Sequence, residues 1–241
     1  MNTSDLLEHQ SLPLEITPIS QWVHSLLQDS HLRRGNQPNP HSQINPCQSV
    51  SPPAAEEGLR AVVAILPEQF QAAEYLVRRR YAWRGYYTSS MADFGETAPY
   101  VKGQPVTLLA EDCGRLLGTL TVRPDSPQGL LAEHSYRAEI ERLRNAGHRV
   151  GEVVKLAVEE GVDWKAALNA LVQSAYLVTR MVHALTDVLI EVNPRHVRFY
   201  QRVLGFVVAA GERICARAGA PSVLMQLDLA QFGRRLELAA A

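Results

Sequence analysis

The chain has 241 residues, nearly half of them apolar and a fifth charged, enough for one ordinary domain with an appendage. Its formal net charge of −1 argues against nucleic acid as a partner, because binding phosphate backbones favours a strong basic excess. Cys47, Cys113 and Cys215 are too few and too scattered for a disulfide framework or a metal site. No apolar run approaches the roughly 20 residues of a spanning helix, and the start lacks the basic-then-apolar pattern of a secretory signal. The expectation is a soluble cytoplasmic protein without integral membrane contact.

Residues 1–34 hold one short amphipathic candidate, with Ile19, Trp22, Val23, Leu26 and Leu27 at helical spacing. Residues 35–58 are rich in Pro, Ser, Asn and Gln and read as a linker, since they bury too little apolar surface to offset their ordering entropy. From 59 to 231 elements alternate. A strand near Ala61–Leu66 precedes a helix opened by Pro67. An irregular stretch follows, with Trp83, Tyr86, Tyr87, Met91 and Phe94 clustered as a lid or a minor core. Val106–Ala110 and Leu116–Val122 form a hairpin. Then come a helix over Ala132–Asn145, a strand over Val150–Val158 and the longest helix, Trp164–Ala184. Asp187–Val192 is an apolar strand, and Asn193-Pro194 starts a helix that stops at Gly205. Two strands, Phe206–Ala210 and Val223–Leu229, close the domain, leaving 232–241 as a C-terminal tail. This order calls for an α/β fold, a mixed central β-sheet flanked by helices.

Two segments carry a resemblance: Gly114-Arg115-Leu116-Leu117-Gly118-Thr119-Leu120, and Asn193-Pro194-Arg195-His196 through Phe199-Tyr200 to Leu204-Gly205-Phe206. They resemble the GNAT acyl-CoA N-acyltransferase superfamily, where a strand carries "GxL" and a late helix reads "N…FY…GF". Arg80-Tyr81 through Gly85-Tyr86, and Leu143-Arg144 through Gly151-Glu152 to Val158, add a closer similarity. They resemble the N-acyl amino acid synthases, relatives of the acyl-homoserine lactone synthases. The resemblance spans about 75–229. It implies a lipid-handling transferase that moves a long-chain acyl group from an acyl-carrier protein thioester to the amine of an amino acid. No cofactor or metal would be held tightly; the acyl-phosphopantetheine thioester would be a co-substrate, and the lipid product allows peripheral membrane contact. A CoA-dependent N-acyltransferase and a non-catalytic acyl- or carrier-binding module are the alternatives.

The loop Glu159-Glu160-Gly161-Val162-Asp163 departs from the acetyl-CoA pattern. Three carboxylates beside a helix start disfavour a diphosphate, and hence CoA. Lys155 and Thr121 stand where the lactone synthases tend to have Arg, and an ammonium does not reproduce a bidentate guanidinium contact.

Aminolysis of a thioester needs a base for the amine, donors for the carbonyl oxygen and a proton for the leaving sulfur. By resemblance the thioester lies where the strands 150–158 and 186–192 splay, and an amide between Leu156 and Val158 polarises the carbonyl. Glu152 is the candidate base or amine anchor; otherwise it is a solvent-facing strand residue or a structural partner of Arg149 or Lys155. Tyr200 is the candidate acid, unless it is only part of a buried helix face. Asn193 caps its helix or takes a direct part in substrate binding and catalysis, and His196 lines the donor entrance or is simply exposed. Arg195, Arg198 and Arg202 form one helix stripe suited to an acidic carrier protein, or an ordinary solvated face. Arg80 binds the acceptor carboxylate or pairs internally with Asp93 or Glu96.

Overall fold

The computed structural model describes residues 58–83, 103–215 and 217–240. The expected amphipathic segment at 19–27, most of the linker and the aromatic cluster after Trp83 lie outside the described residues.

Seven strands form one mixed sheet in the order β1-β2-β3-β4-β5-β7-β6. β1 (Arg60–Val63), β2 (Val106–Asp112), β3 (Arg115–Pro124) and β4 (Val150–Val158) make an antiparallel half. β5 (Asp187–Val192) joins β4 in parallel, and β7 (Ala220–Asp228) lies between β5 and the edge strand β6 (Val207–Cys215). Strand period two divides the side chains. Val150 and Leu189 face the helix α2 (Glu133–Asn145), which buries Tyr136 and Ile140 against them. Val122 and Leu120 face α3 (Trp164–Leu177) through Ala167 and Leu171. α1 (Pro67–Trp83) seats Leu76 and Val77 on Ala157, on the α2 side of the sheet. The helices thus cover both faces.

The expected order of elements is observed up to β7, with differences in detail. The long helix does not run to Ala184. After Leu177 it widens into a π turn over Val178–Val182, where His183 donates to the Val178 carbonyl at 3.0 Å. The helix after Asn193 is composite: a 3₁₀ turn (Pro194–His196), one α turn (Val197–Phe199) and a π turn (Tyr200–Leu204), together α4. It ends at Gly205, whose φ of 80° needs a residue without a Cβ. The closing strands are longer than expected, because residues 211–215 continue β6 and Arg213, Ile214 and Cys215 pair with Ser222, Pro221 and Ala220. The chain does not fall into a tail at 232. α5 (Leu229–Ala240) crosses that point, and Phe232 is 2% exposed within the core of Val203, Leu204 and Met225.

Candidate active site

The parallel pair β4/β5 is joined only at its start, through Val150↔Asp187, Gly151↔Val188 and Glu152↔Leu189. Beyond Glu152 the strands part. A register shift between Thr119 and Thr121 gives β4 one extra residue against β3, and Lys155 takes φ 58° within it. Such a bulge bends and twists its strand. A cavity of about 260 Å³ fills the gap, with Val153, Val154, Lys155 and Leu156 on one wall and Ile190, Glu191 and Val192 on the other.

The cavity has two arms, because β4 and β5 present alternate residues to opposite faces. Towards α3, α4 and α5 the lining is apolar: Val172, Tyr176, Ile190, Leu204, Phe206 and Phe232. Both π turns contribute here, through Thr179 and Tyr200. Towards α2 the lining is polar, built from Glu152, Glu191, Arg217 and Ser222, with Cys215 beside them. Burial pushes the Cys215 thiol up, helped by the neighbouring Glu191 charge, so it stays protonated.

Glu152 is 2% exposed and is not solvent-facing. The backbone N–H of Leu131 donates to Oε1 at 2.6 Å and that of Ala132 to Oε2 at 3.1 Å. Arg123 Nε lies 3.3 Å from Oε1. Burial pushes its carboxyl up, against the pull of both amides, Arg123 and Arg217. The two amides come from the loop before α2, and Arg144 fixes that loop. Its Nε and Nη2 both donate to Asp125 at 2.7 Å, and Nη2 also pairs with Glu133. Glu133 in turn accepts from the Leu130 amide at 2.9 Å. Burial favours a neutral Glu133, but the bonds from Arg144 and Leu130 outweigh it and hold the carboxyl below its usual range.

Other expected residues are brought to the same cavity. Lys155, Leu156, Asn193, His196 and Tyr200 all line it. Asn193 also caps α4: Oδ1 accepts the Arg195 amide at 3.2 Å, while Nδ2 donates to the Pro221 carbonyl at 3.3 Å. Tyr200 lines the cavity while its ring packs edge-on to Phe199 and Phe206. Arg195, Arg198 and Arg202 are exposed, with Arg195 Nε donating to His196 Nε2 at 3.1 Å.

Three residues singled out in the sequence lie outside the cavity lining. Val158 does not line the cavity; it packs with the Leu117–Leu171 cluster beneath it. Arg80 lies outside the lining and donates to Glu160 Oε2 at 3.0 Å. Thr121 pairs with Thr107 across the hairpin, Oγ1 to Oγ1 at 2.9 Å.

Sequence reasoning missed Glu191, Ser222 and Arg217. Glu191 Oε2 accepts from Arg217 Nη2 at 3.0 Å, and Oε1 accepts from Ser222 Oγ at 2.8 Å. Glu191 gave a signal, as the one charged residue in Val188–Val192. Arg217 gave none, since it sits in a short turn that reaches the site only because β7 inserts between β5 and β6.

At the start of α3, where an anion would be held by free amides, the Asp163 carboxylate already accepts from Lys165 and Ala166, at 3.0 and 3.1 Å. Glu159 accepts the Glu160 amide at 2.7 Å and pairs with Arg79.

A family model described as "N-acyl amino acid synthase FeeM" matches residues 72–228, more than half of the chain. The solved FeeM structure, from uncultured soil microbes, is 23% identical and has a TM-score of 0.66, covering 76% of this chain and 97% of that one. An acyl-CoA N-acyltransferase from Pseudomonas aeruginosa (13% identity, TM-score 0.50, 70% and 99% coverage) shares the fold. So does an aminoglycoside N(6′)-acetyltransferase from Legionella pneumophila (14%, 0.50, 75% and 98%). No curated protein sequence matches. The fold is GNAT-like, and the chain belongs to the FeeM family of N-acyl amino acid synthases and is an acyltransferase.

Proposed function

We propose that the protein transfers a long-chain acyl group from an acyl-carrier protein thioester to the amine of an amino acid. The observation that carries this reading is the two-armed cavity at the β4/β5 splay: an apolar arm for the chain and a polar arm for the amine, meeting where the two strands do not pair with each other. The thioester carbonyl would lie against the β4 edge near Leu156, where no β5 residue takes the backbone amides. Glu152, with its carboxyl raised by burial, would accept the amine proton. The nitrogen adds to the carbonyl carbon, the C–S bond breaks, and the Tyr200 phenol protonates the leaving sulfur.

A carrier protein fits better than CoA as donor. The anion position at the start of α3 is filled by the Asp163 carboxylate, which competes with a diphosphate for the same amides. The exposed Arg195, Arg198 and Arg202 would meet an acidic carrier near the entrance marked by His196. The test offers matched acyl-carrier protein and acyl-CoA donors with the twenty amino acids and reads products by mass spectrometry. Carrier-dependent N-acyl amino acids are expected. Efficient turnover with acyl-CoA alone overturns the donor assignment, and no N-acyl product with either donor overturns the activity.

A further inference from the structure

We propose that Arg217 recognises the carboxylate of the acceptor, and that Glu191 holds its guanidinium in place until the acceptor arrives. The inference rests on the amino-acid acceptor proposed above and names the side chain that selects it.

The geometry of the polar arm is the basis. Arg217 projects from the turn between β6 and β7 into the cavity wall, three-quarters buried. Its Nη2 donates to Glu191 Oε2 at 3.0 Å, while its Nε is buried without an acceptor among the described residues. A buried guanidinium N–H without a partner is costly, and it marks a position where an incoming acceptor atom gains most. A carboxylate satisfies the fork of a guanidinium with two parallel bonds, which a hydroxyl or a carbonyl cannot do.

Glu191 is itself fixed. Ser222 Oγ donates to its other oxygen at 2.8 Å, and its side chain is only 7% exposed. The pair therefore carries one positive and one negative charge in a confined wall. An α-amino acid brings the complementary set, with its carboxylate to Arg217 and its ammonium on the carboxylate side, where Glu152 also stands. Binding a zwitterion leaves the charge of the arm balanced. Binding an amine without a carboxylate adds a positive charge and leaves the Arg217 Nε unsatisfied.

This predicts selection against amines that lack the carboxylate. For each accepted amino acid, the wild-type protein is compared on the decarboxylated amine, tyramine against tyrosine or phenethylamine against phenylalanine, and on the carboxamide. KM for the amino acid is expected to lie about 100-fold or more below that for the amine. Arg217→Gln is expected to raise KM for the amino acid by about the same factor and to leave KM for the amine unmoved, while kcat shifts alike for both acceptors because Arg217 also acts on the Glu152 carboxyl. Arg217→Lys restores part of the loss. Equal KM values for the amino acid and its amine in the wild-type protein overturn the proposal, as does an equal loss for both acceptors in Arg217→Gln. The wild-type comparison decides the matter should the variant fail to fold. Calorimetric titration of the same ligands needs no turnover. Arg217-dependent amino-acid binding without any N-acyl product leaves this site standing and removes the activity. N-acyl product with Arg217-independent binding does the reverse, and absence of both product and binding overturns both.

Discussion

The two ends of the parallel pair β4/β5 are built on opposite plans. The lower end is zipped: three residue pairs are in register, and Gly151 lets Leu185 and the Arg123 carbonyl approach so closely that a Cβ there would meet them at 2.5 and 2.8 Å. Asp187 ties the same end together. Its carboxylate receives His148 Nδ1 at 2.5 Å, and Thr186 Oγ1 and Gln226 Nε2 at 2.7 Å each. Above this end the two strands do not pair with each other, β4 carries a bulge, and the cavity is lined by apolar side chains towards one face and polar ones towards the other. In the proposed mechanism the lower end anchors the opening and the upper end carries the chemistry. Changes at the lower end should therefore act on stability, and changes at the upper end on turnover.

The largest expected effect is at the junction. Glu152→Gln removes the group proposed to take the amine proton, and turnover should fall by about 10²–10⁴-fold. The two amides from Leu131 and Ala132 lose a charged acceptor, which also costs about 1–3 kcal/mol of stability. Kinetics and chemical denaturation on the same samples separate the two. Unchanged turnover with lowered stability would make Glu152 part of the scaffold and move the boundary between the two ends upward by one residue.

Gly151→Ala tests the zipped end. Crowding against Leu185 and a backbone carbonyl is expected to cost about 1–3 kcal/mol, read by denaturant midpoint, with KM for both substrates unchanged. Loss of activity at unaltered stability would show that the lower end also takes part in catalysis.

Acid should affect the two ends in opposite senses. Burial alone would raise the Asp187 carboxyl, but the bonds from Thr186, Gln226 and His148 outweigh it and hold it below the ordinary aspartate value of about 4. Its contribution is complete above that value and is lost as pH falls through the depressed native one. Glu152 is raised instead, so the folded state holds its proton to higher pH than the unfolded chain does. Its contribution improves as pH falls from its native value to the ordinary one of about 4.3, and is constant below that. Stability measured against pH should therefore drop below about pH 4 in the wild-type protein and less steeply in Asp187→Asn. An unchanged acid limb in that variant would remove Asp187 from the clamp.

Much of this contrast was legible in the sequence, but unevenly. The elements followed from period and punctuation, as at Asn193-Pro194 and Gly205, where cap and stop are local chemistry. The anionic loop at 159–163 was legible for the same reason, since Asp163 caps the helix that begins one residue later. The location of Glu152 on β4 came from the resemblance, yet its partners did not. The amides of Leu131 and Ala132 are 21 and 20 residues away and are held by Arg144, so no local pattern encodes them. Arg217 was illegible because its place depends on strand order. Arg80, expected near the acceptor, reaches the loop after β4 instead, because α1 crosses that end of the sheet. Phe232 was not legible as a core residue, because an amphipathic turn with one aromatic is a weak signal until its core is known.

The smallest effect concerns what keeps the upper end open. Lys155 adopts a left-handed φ of 58° in the β4 bulge, three residues past the last β4/β5 pair. A side-chain-bearing residue there costs about 1–2 kcal/mol, because its Cβ crowds the following carbonyl. Lys155→Gly removes that crowding but loosens the unfolded chain by about 0.5–1 kcal/mol. Lys155→Ala removes the same ammonium and keeps the crowding. The glycine variant should therefore be more stable than the alanine variant by up to about 1 kcal/mol, while both lose whatever the ammonium contributes to turnover. Denaturation midpoints of the two variants measure the backbone effect with the side-chain effect cancelled. Equal midpoints would mean that the bulge carries no conformational cost, and that the strands part because of what the cavity walls are made of rather than because β4 is bent away from its neighbour.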